Sequence, residues 1–581
     1  MRGLFVAAML GVALAGCTSA GGRGDDAADA IWWGGPIVTL DDARPLAEAI
    51  AVRGGRIVAV GAATQVMELA GSRTHLLDLH GHTLVPGFLD GHSHISGVGF
   101  QALTANLLPP PDGPGDSIAA LQQALREYRA RSSVPSQLGV VVGFGYDDSM
   151  LAERRHPTRQ ELDAVSGDVP VLVVHQSGHL GAMNSAALAK AGITESTPDP
   201  KGGAIRRESG SQRPNGVLEE LAFFGAMAKV VPAFDAEQSI ALLEAGQAAY
   251  LRYGYTTAQD GRSYPNQVEA AIAAAEQGRL RLDVVSYPDF LALRQAGKLE
   301  LLSPPWFHDT AEAPSYRGHF RIGGIKLTLD GSPQGKTAWM TKPYLVPPPG
   351  RPADYAGYGV LDDAVVEDVY TQALRSRWQV LTHANGDRAI DQMLDQLAKA
   401  EATVPGVDVR PVLIHGQYLR EDQVDRLVKL GVRPSLFPMH TFYWGDWHRE
   451  SVAGPERAAN ISPTGWLVAR GIHFTSHHDA PVALPDAIRV LDATVNRTTR
   501  SGVVLGPDQR VEPIVALKAL TAWAAEQYFE ERSKGTLAVG KLADFTVLSE
   551  NPLAIDRSRL RELVVLETIK EGETVYRLES D

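Results

Sequence analysis

The stretch "PGFLDGHSHI", residues 86–95, follows an apolar run, "HTLV", and sets His92 and His94 two apart where that run ends. Residues i and i+2 of an extended segment point to the same side, so both imidazoles can address one ion. Gly91 lets the backbone turn close beside them. Taken alone, an H-x-H pair is equally a solvated or hydrogen-bonded pair. The choice turns on what ends the other strands of the chain.

Eight short apolar runs read as strands: 83–90, 254–260, 281–287, 321–329, 378–383, 411–415, 432–438 and 472–479. Helical patterns separate most of them. "DRAIDQMLDQLAKA" puts Ala389, Ile390, Met393, Leu394 and Leu397 on one stripe, and "REDQVDRLVKLG" groups Val424, Leu427 and Val428 before Gly431 as C-cap. The rhythm predicts an α/β fold, a (β/α)8 TIM-type barrel over residues 83–530. A segment of about 100–250 is too long for a loop and reads as an insertion after strand one, with helices such as "SIAALQQALREYRAR" and the strand-like "VPVLVVHQSGH". β-like runs at residues 31–82 and 531–581 predict a composite small β-sandwich domain.

The active face of such a barrel is the C-terminal end of its strands. His92 and His94 end the first strand, Lys326 lies within the fourth, His383 ends the fifth, His415 the sixth and Asp479 the eighth. Each has an ordinary use: a strand-edge charge for Lys326, a satisfied core histidine for His383 or His415, a turn cap for Asp479. An ordered series at successive strand ends points instead to a metal centre.

The remaining composition narrows the function. The chain has 581 residues, 44% hydrophobic and 21% charged, as a folded protein with a large core does. Its net charge of −13, without a basic cluster, argues against nucleic acid as partner. Residues 1–17 carry one arginine, an apolar stretch at 4–14 and then Leu14-Ala15-Gly16-Cys17. That is the outline of a secretory signal, and its end resembles the lipobox of bacterial lipoproteins, with Cys17 as the lipidation site. Residues 18–30 read as a flexible tether. The expected location is outside the cytoplasm, facing periplasm or cell exterior, with the lipid anchor as the sole membrane contact. Cys17 is the single cysteine, so no intramolecular disulfide can form.

The motifs resemble the amidohydrolase superfamily, in particular its YtcJ-like branch of metal-dependent hydrolases, which includes N-substituted formamide deformylases. The matching stretches are "PGFLDGHSHI", "HLGAMNSAAL", "GVLEE", "GGIKLTLDGS", "THANGDRAID", "LIHGQ", "HHDAPV" and "KGTLAVGKLADFTVL", spread from about Ile31 to the C-terminus. The resemblance implies one or two divalent ions, commonly zinc, held by His92, His94, His383, His415 and Asp479. Lys326 would be carboxylated and bridge them, and Asp479 would move the proton of the attacking water. It implies hydrolysis of a C–N amide-type bond other than a peptide bond in a small molecule. Candidate substrate contacts are His179, Asp330, and His440 and Trp444 in the aromatic loop "MHTFYWGDWHRE". This chain departs from the family in having His477 and His478 before the last aspartate, where Gly-Ser is usual. Two other classes fit less well: a metal-binding lipoprotein without catalysis, and a single-metal deaminase, which commonly lacks the bridging lysine.

Overall fold

The computed structural model describes residues 27–307 and 314–579. The leader, the lipobox and most of the tether lie outside the described residues. Residues 27–30 are already part of the fold: Ala28 is buried and bonds Leu69, and Ala30 opens a strand. Among the described residues, no helix is long and apolar enough to cross a membrane.

Eight parallel strand segments follow one another in chain order. They are β1 (Phe88–Leu89), β2 (Tyr255–Ser263), β3 (Asp283–Pro288), β4 (Phe320–Ile322, then Gly324–Thr328), β5 (Gln379–Ala384), β6 (Val412–His415), β7 (Arg433–Leu436) and β8 (Thr475–Ser476). Neighbours pair in parallel throughout, in two ladders that meet within β4. The first half of β4 bonds β3 and the second bonds β5. Gly324 makes this switch possible, because a Cβ there would lie 2.1 Å from the Gln379 carbonyl oxygen. Each segment expected from the sequence is present, most of them shorter than its apolar run, since burial continues past the point where the ladder stops.

Between β8 and β1 the described hydrogen bonds lie at the C-terminal ends, where His94 N–H donates to Ala480 O (2.8 Å) and Asp479 N–H to His92 O (3.2 Å). Below them the interior holds Leu89, Val285, Tyr287, Leu381, Val412 and Ile414, plugged by Ala524, Ala525 and Tyr528. A larger apolar shell lies between the strands and the helices around them.

Two parts differ from expectation. Thr83–Pro86, expected as the start of strand one, belongs to the small β domain, so the boundary falls after Pro86. The strands of that domain come from both ends of the chain and join in one sheet of eight, seven along a single path and His75–Asp78 paired to the side, on Ala30–Val38. A shift of register between Trp33 and Ile37 bends its strand Ala30–Val38. Trp32 thereby meets Phe545 edge-on at 5.3 Å, and the curled sheet encloses its own core. Lys570 ties this sheet to β3 through Asp283 at 2.8 Å.

The insertion is a unit in its own right. Six strands between Ala105 and Glu220 form a mixed sheet with an apolar cluster on each face. It ends earlier than expected, because the helix Ala236–Arg252 packs with the main core through Ile240, Leu243, Tyr250 and Leu251.

The seam between β1 and β8 leaves no room at Gly91, where an added Cβ would sit 2.7 Å from Thr475 Oγ1 and 2.9 Å from its Cβ. Gly91→Ala should cost about 1–3 kcal/mol through overpacking. An earlier urea transition would register it, and an unmoved one would show a looser seam.

Candidate metal centre

The six residues of the ordered series converge at the seam. Asp479 Oδ1 lies 3.6 Å from His92 Nε2 and 3.3 Å from His94 Nε2, and its Oδ2 lies 3.9 Å from His415 Nε2. His415 Nε2 is 3.1 Å from His383 Nδ1, and Lys326 Nζ is 2.9 Å from His92 Nε2. One carboxylate thus stands between two histidine pairs, with the amine beside the first.

Local structure orients each ring. Asp90, fully buried, accepts the N–H of His92 (3.0 Å) and of Gln259 (3.1 Å) together with the Ser93 hydroxyl. Gln259 donates its amide to the Tyr528 hydroxyl (2.7 Å), so its oxygen faces His92 Nδ1 at 2.6 Å. His92 therefore carries its proton on Nδ1 and turns an Nε2 lone pair into the site. His383 Nε2 faces the Gly331 carbonyl oxygen at 3.2 Å, which leaves Nδ1 for His415. His94 begins the helix α1 (Ile95–Ala102) and is the most open of the four rings, its side chain 26% exposed.

Burial, before any other cause, drives His92, His383 and His415 well below the usual imidazole range. Neutral imidazoles are the form that binds metal. Burial likewise lowers Lys326 to about 7, against the pull of Asp479 in the other direction. An ammonium in this position would repel a divalent ion.

The donor chemistry fits a divalent cation. His92, His94 and Asp479 each offer an atom within 4.8 Å of the others. Asp479 Oδ1 and His415 Nδ1 are buried without a hydrogen-bond partner. Nitrogen and oxygen ligands of zinc at about 2.0–2.2 Å lie about 3–3.6 Å apart, the range in which Asp479 Oδ1 stands from His92 Nε2 and His94 Nε2. The two unexpected histidines part company. His477 packs its ring 5.4 Å from His92 and 5.1 Å from His415, with both nitrogens unpartnered. His478 turns away, accepts the Ala480 N–H at 3.0 Å and packs between Tyr250 and Tyr255.

A cavity of about 230 Å3 opens over the cluster, lined by His94, Lys326, His383, His415 and Asp479. His179, from the insertion, lines it too, its ring 5.1 Å from His383. Burial pushes His179 down, and the Glu220 carboxylate at 2.8 Å from Nδ1 more than offsets this, so the net shift is upward.

Three expected substrate contacts are not among the residues lining the cavity, although Asp330 Oδ1 lies 3.4 Å from His383 Nε2. Asp330 is fully buried and accepts the N–H groups of Asn385 (2.9 Å), Gly386 (2.8 Å) and Trp339 (2.9 Å), so it ties a loop to the start of a helix. His440 bonds His448 at 3.0 Å, and Trp444 donates to Asp147 of the insertion; both are buried where the insertion docks and neither lines the cavity. Sequence reading missed Gln259, Glu220 and Arg262. Arg262 lines the cavity with Nε on Asp289 at 3.1 Å. The Glu-Glu of "GVLEE" was a signal for Glu220; nothing in one sequence singles out Gln259 or Arg262.

Parallel strands whose C-terminal ends gather imidazoles, an amine and a carboxylate define an α/β fold of the metal-dependent hydrolase class. The chain belongs to the amidohydrolase family, whose profile matches residues 75–576. It is 27% identical over 557 residues to the putative amidohydrolase YtcJ of Bacillus subtilis, covering 94% of this chain and 99% of that protein. It is 28% identical over 556 residues to the N-substituted formamide deformylase of Arthrobacter pascens, covering 93% and 97%. Its fold is similar to that of an uncharacterized metal-dependent hydrolase from Pyrococcus horikoshii, with a TM-score of 0.69 at 23% identity over 91% of this chain and 99% of that one.

Two outcomes follow. Gln259→Leu frees the His92 ring and should weaken zinc binding about 10–100-fold, as loss of an orienting partner does; equilibrium dialysis with metal analysis measures it. Asp330→Ala strands three buried N–H donors and should cost about 3 kcal/mol or more, seen in urea unfolding, by a structural route.

Proposed function

We propose that the protein hydrolyses a C–N amide-type bond other than a peptide bond, in an N-substituted formamide, an N-acyl amine or amino acid, or a cyclic amide. The observation that carries this reading is the position of Asp479, within 4 Å of three imidazoles and open to the cavity. His92 and His94 would hold one divalent ion, zinc being usual for nitrogen and oxygen donors of this kind, and His383 and His415 a second. Such ions supply a polarised carbonyl and an acidified water.

The chain's own groups do the rest. Asp479 accepts a proton from the water that adds to the carbonyl carbon, and returns it to nitrogen as the C–N bond breaks. His179, with Nδ1 engaged by Glu220, presents Nε2 to the cavity and in its protonated form donates to the substrate oxygen. Lys326, lowered by burial to about 7, would as the free amine be able to attack carbon dioxide through its lone pair and lose a proton, and the anionic carbamate so formed would be a further oxygen donor for a cation. The name of the Arthrobacter pascens relative supports the formamide option.

The apolar segment at residues 4–14 and Cys17 support an exported, lipid-anchored protein working on a small molecule outside the cytoplasm. Asp479→Asn should lower kcat/KM on a responsive amide by about 10²–10⁴, a larger loss than any fall in metal content measured on the same sample explains. Metal analysis beside a hydrolysis screen of N-formyl, N-acyl and cyclic amides decides it. A variant as active as the parent would overturn the role given to Asp479.

A further inference from the structure

The cavity over the metal centre adjoins a second, larger one. This cleft of about 600 Å3 lies among the helices α1, α2 (Leu221–Val230), α3 (Ala236–Arg252) and α4 (Pro265–Glu276). Gly97, Phe100, Phe224, Met227 and Tyr264 line both spaces. Helix α1 starts at His94, so its first two turns lead from the reacting end of the site into the cleft.

The lining says what fits. No residue of it carries a charge, and its walls are set by Val231, Phe234, Leu242 and Leu243 besides the shared aromatics. Its polar side chains are in part already engaged: Ser96 donates to Asp260 at 2.7 Å, and Gln267 accepts the Tyr264 N–H at 2.8 Å. The volume lies in the range of sites for small organic ligands. The neck is held in shape from one side, because the Arg262 guanidinium packs 5.5 Å from Phe224 and 6.0 Å from Tyr264 while Asp289 fixes its Nε.

Resting on the hydrolase reading above, we propose that the substrate carries a long apolar arm, of alkyl or aryl type, which passes the Phe224 and Tyr264 neck and fills this cleft while the amide lies at Asp479. An apolar arm gains free energy in proportion to the area it removes from water, and the uncharged walls offer a charged arm nothing in return for its hydration.

A chain-length series tests it. With N-alkylformamides from ethyl to decyl, kcat/KM should rise about three- to fourfold per added methylene over several carbons, mainly through KM. Ala228, an exposed residue of α2 on the cleft wall, allows a block without disturbing the core. Ala228→Trp should abolish the rise, lowering kcat/KM on N-decylformamide far more than on N-ethylformamide. Turnover without length dependence overturns the inference and leaves the hydrolase reading in place. Where no amide is turned over the hydrolase reading fails, and calorimetric titration with decylurea, an unreactive amide analogue, takes over. Binding that Ala228→Trp removes supports the apolar cleft, and no binding overturns it. Binding gained only in a full chain with Leu10→Asp and Leu14→Asp would assign the cleft to the chain's own apolar segment and also overturn the proposal.

Discussion

The constraint on which the site depends is the burial of a carboxylate among imidazoles that have few other partners. Asp479 reaches His92 and His94 with one oxygen and His415 with the other, with only 11% of its side chain exposed. Burying such groups costs several kcal/mol each unless their lone pairs are satisfied. A divalent ion would satisfy them together; among the described residues Lys326 reaches only His92, and Asp479 Oδ1 has no hydrogen-bond partner. The structure around the cluster is arranged so that each group arrives with the correct lone pair free: Gln259 and Tyr528 behind His92, Asp90 under its backbone, Gly331 behind His383.

The same place collects backbone strain. His415, Asp479 and Glu220 all have positive φ, at 73°, 55° and 48°. A residue with a side chain held there costs of order 1–3 kcal/mol and persists when its surroundings fix it. His415 and Asp479 sit where a strand of the parallel series has just ended, and Glu220 where a strand of the insertion gives way to α2. The rigid ladders and the filled interior beneath them supply what the strain consumes. Neither sheet is then free to relax without pulling ligands apart.

How far the sequence revealed this follows from what kind of signal each residue leaves. Strand ends are visible because an apolar run stops, so His92, His94, Lys326, His383, His415 and Asp479 could be placed in one ordered series, and the structure brings them together. Asp330, His440 and Trp444 were picked because a motif or an aromatic loop surrounded them. Their residue types serve equally well to tie a loop or to dock the insertion, which is where they are found. Gln259 and Arg262 act through distance in three dimensions, and no local pattern marks them. The curled small sheet was half legible: its strands show in the pattern, but whether two ends of a chain form one ladder or two depends on a bend between Trp33 and Ile37 that hydrophobic alternation does not encode.

The insertion gives the clearest view of how specificity can be separated from chemistry in this fold. The strands carry the groups that would meet the ions, and their geometry is bound by the two ladders. The insertion contributes His179 and Glu220 to one wall of the cavity and, through α2, much of the wall beyond it. Phe223 and Phe224 sit on the same helix and both line the cavity over the cluster, but Phe224 alone of the two also lines the larger cleft. A change to the exposed side of α2 therefore reshapes what can enter without touching the rings at the strand ends. Substitution at the strand ends has no such freedom, because His92 is held by Gln259, itself bonded to Tyr528 in the interior, and His383 faces the Gly331 carbonyl.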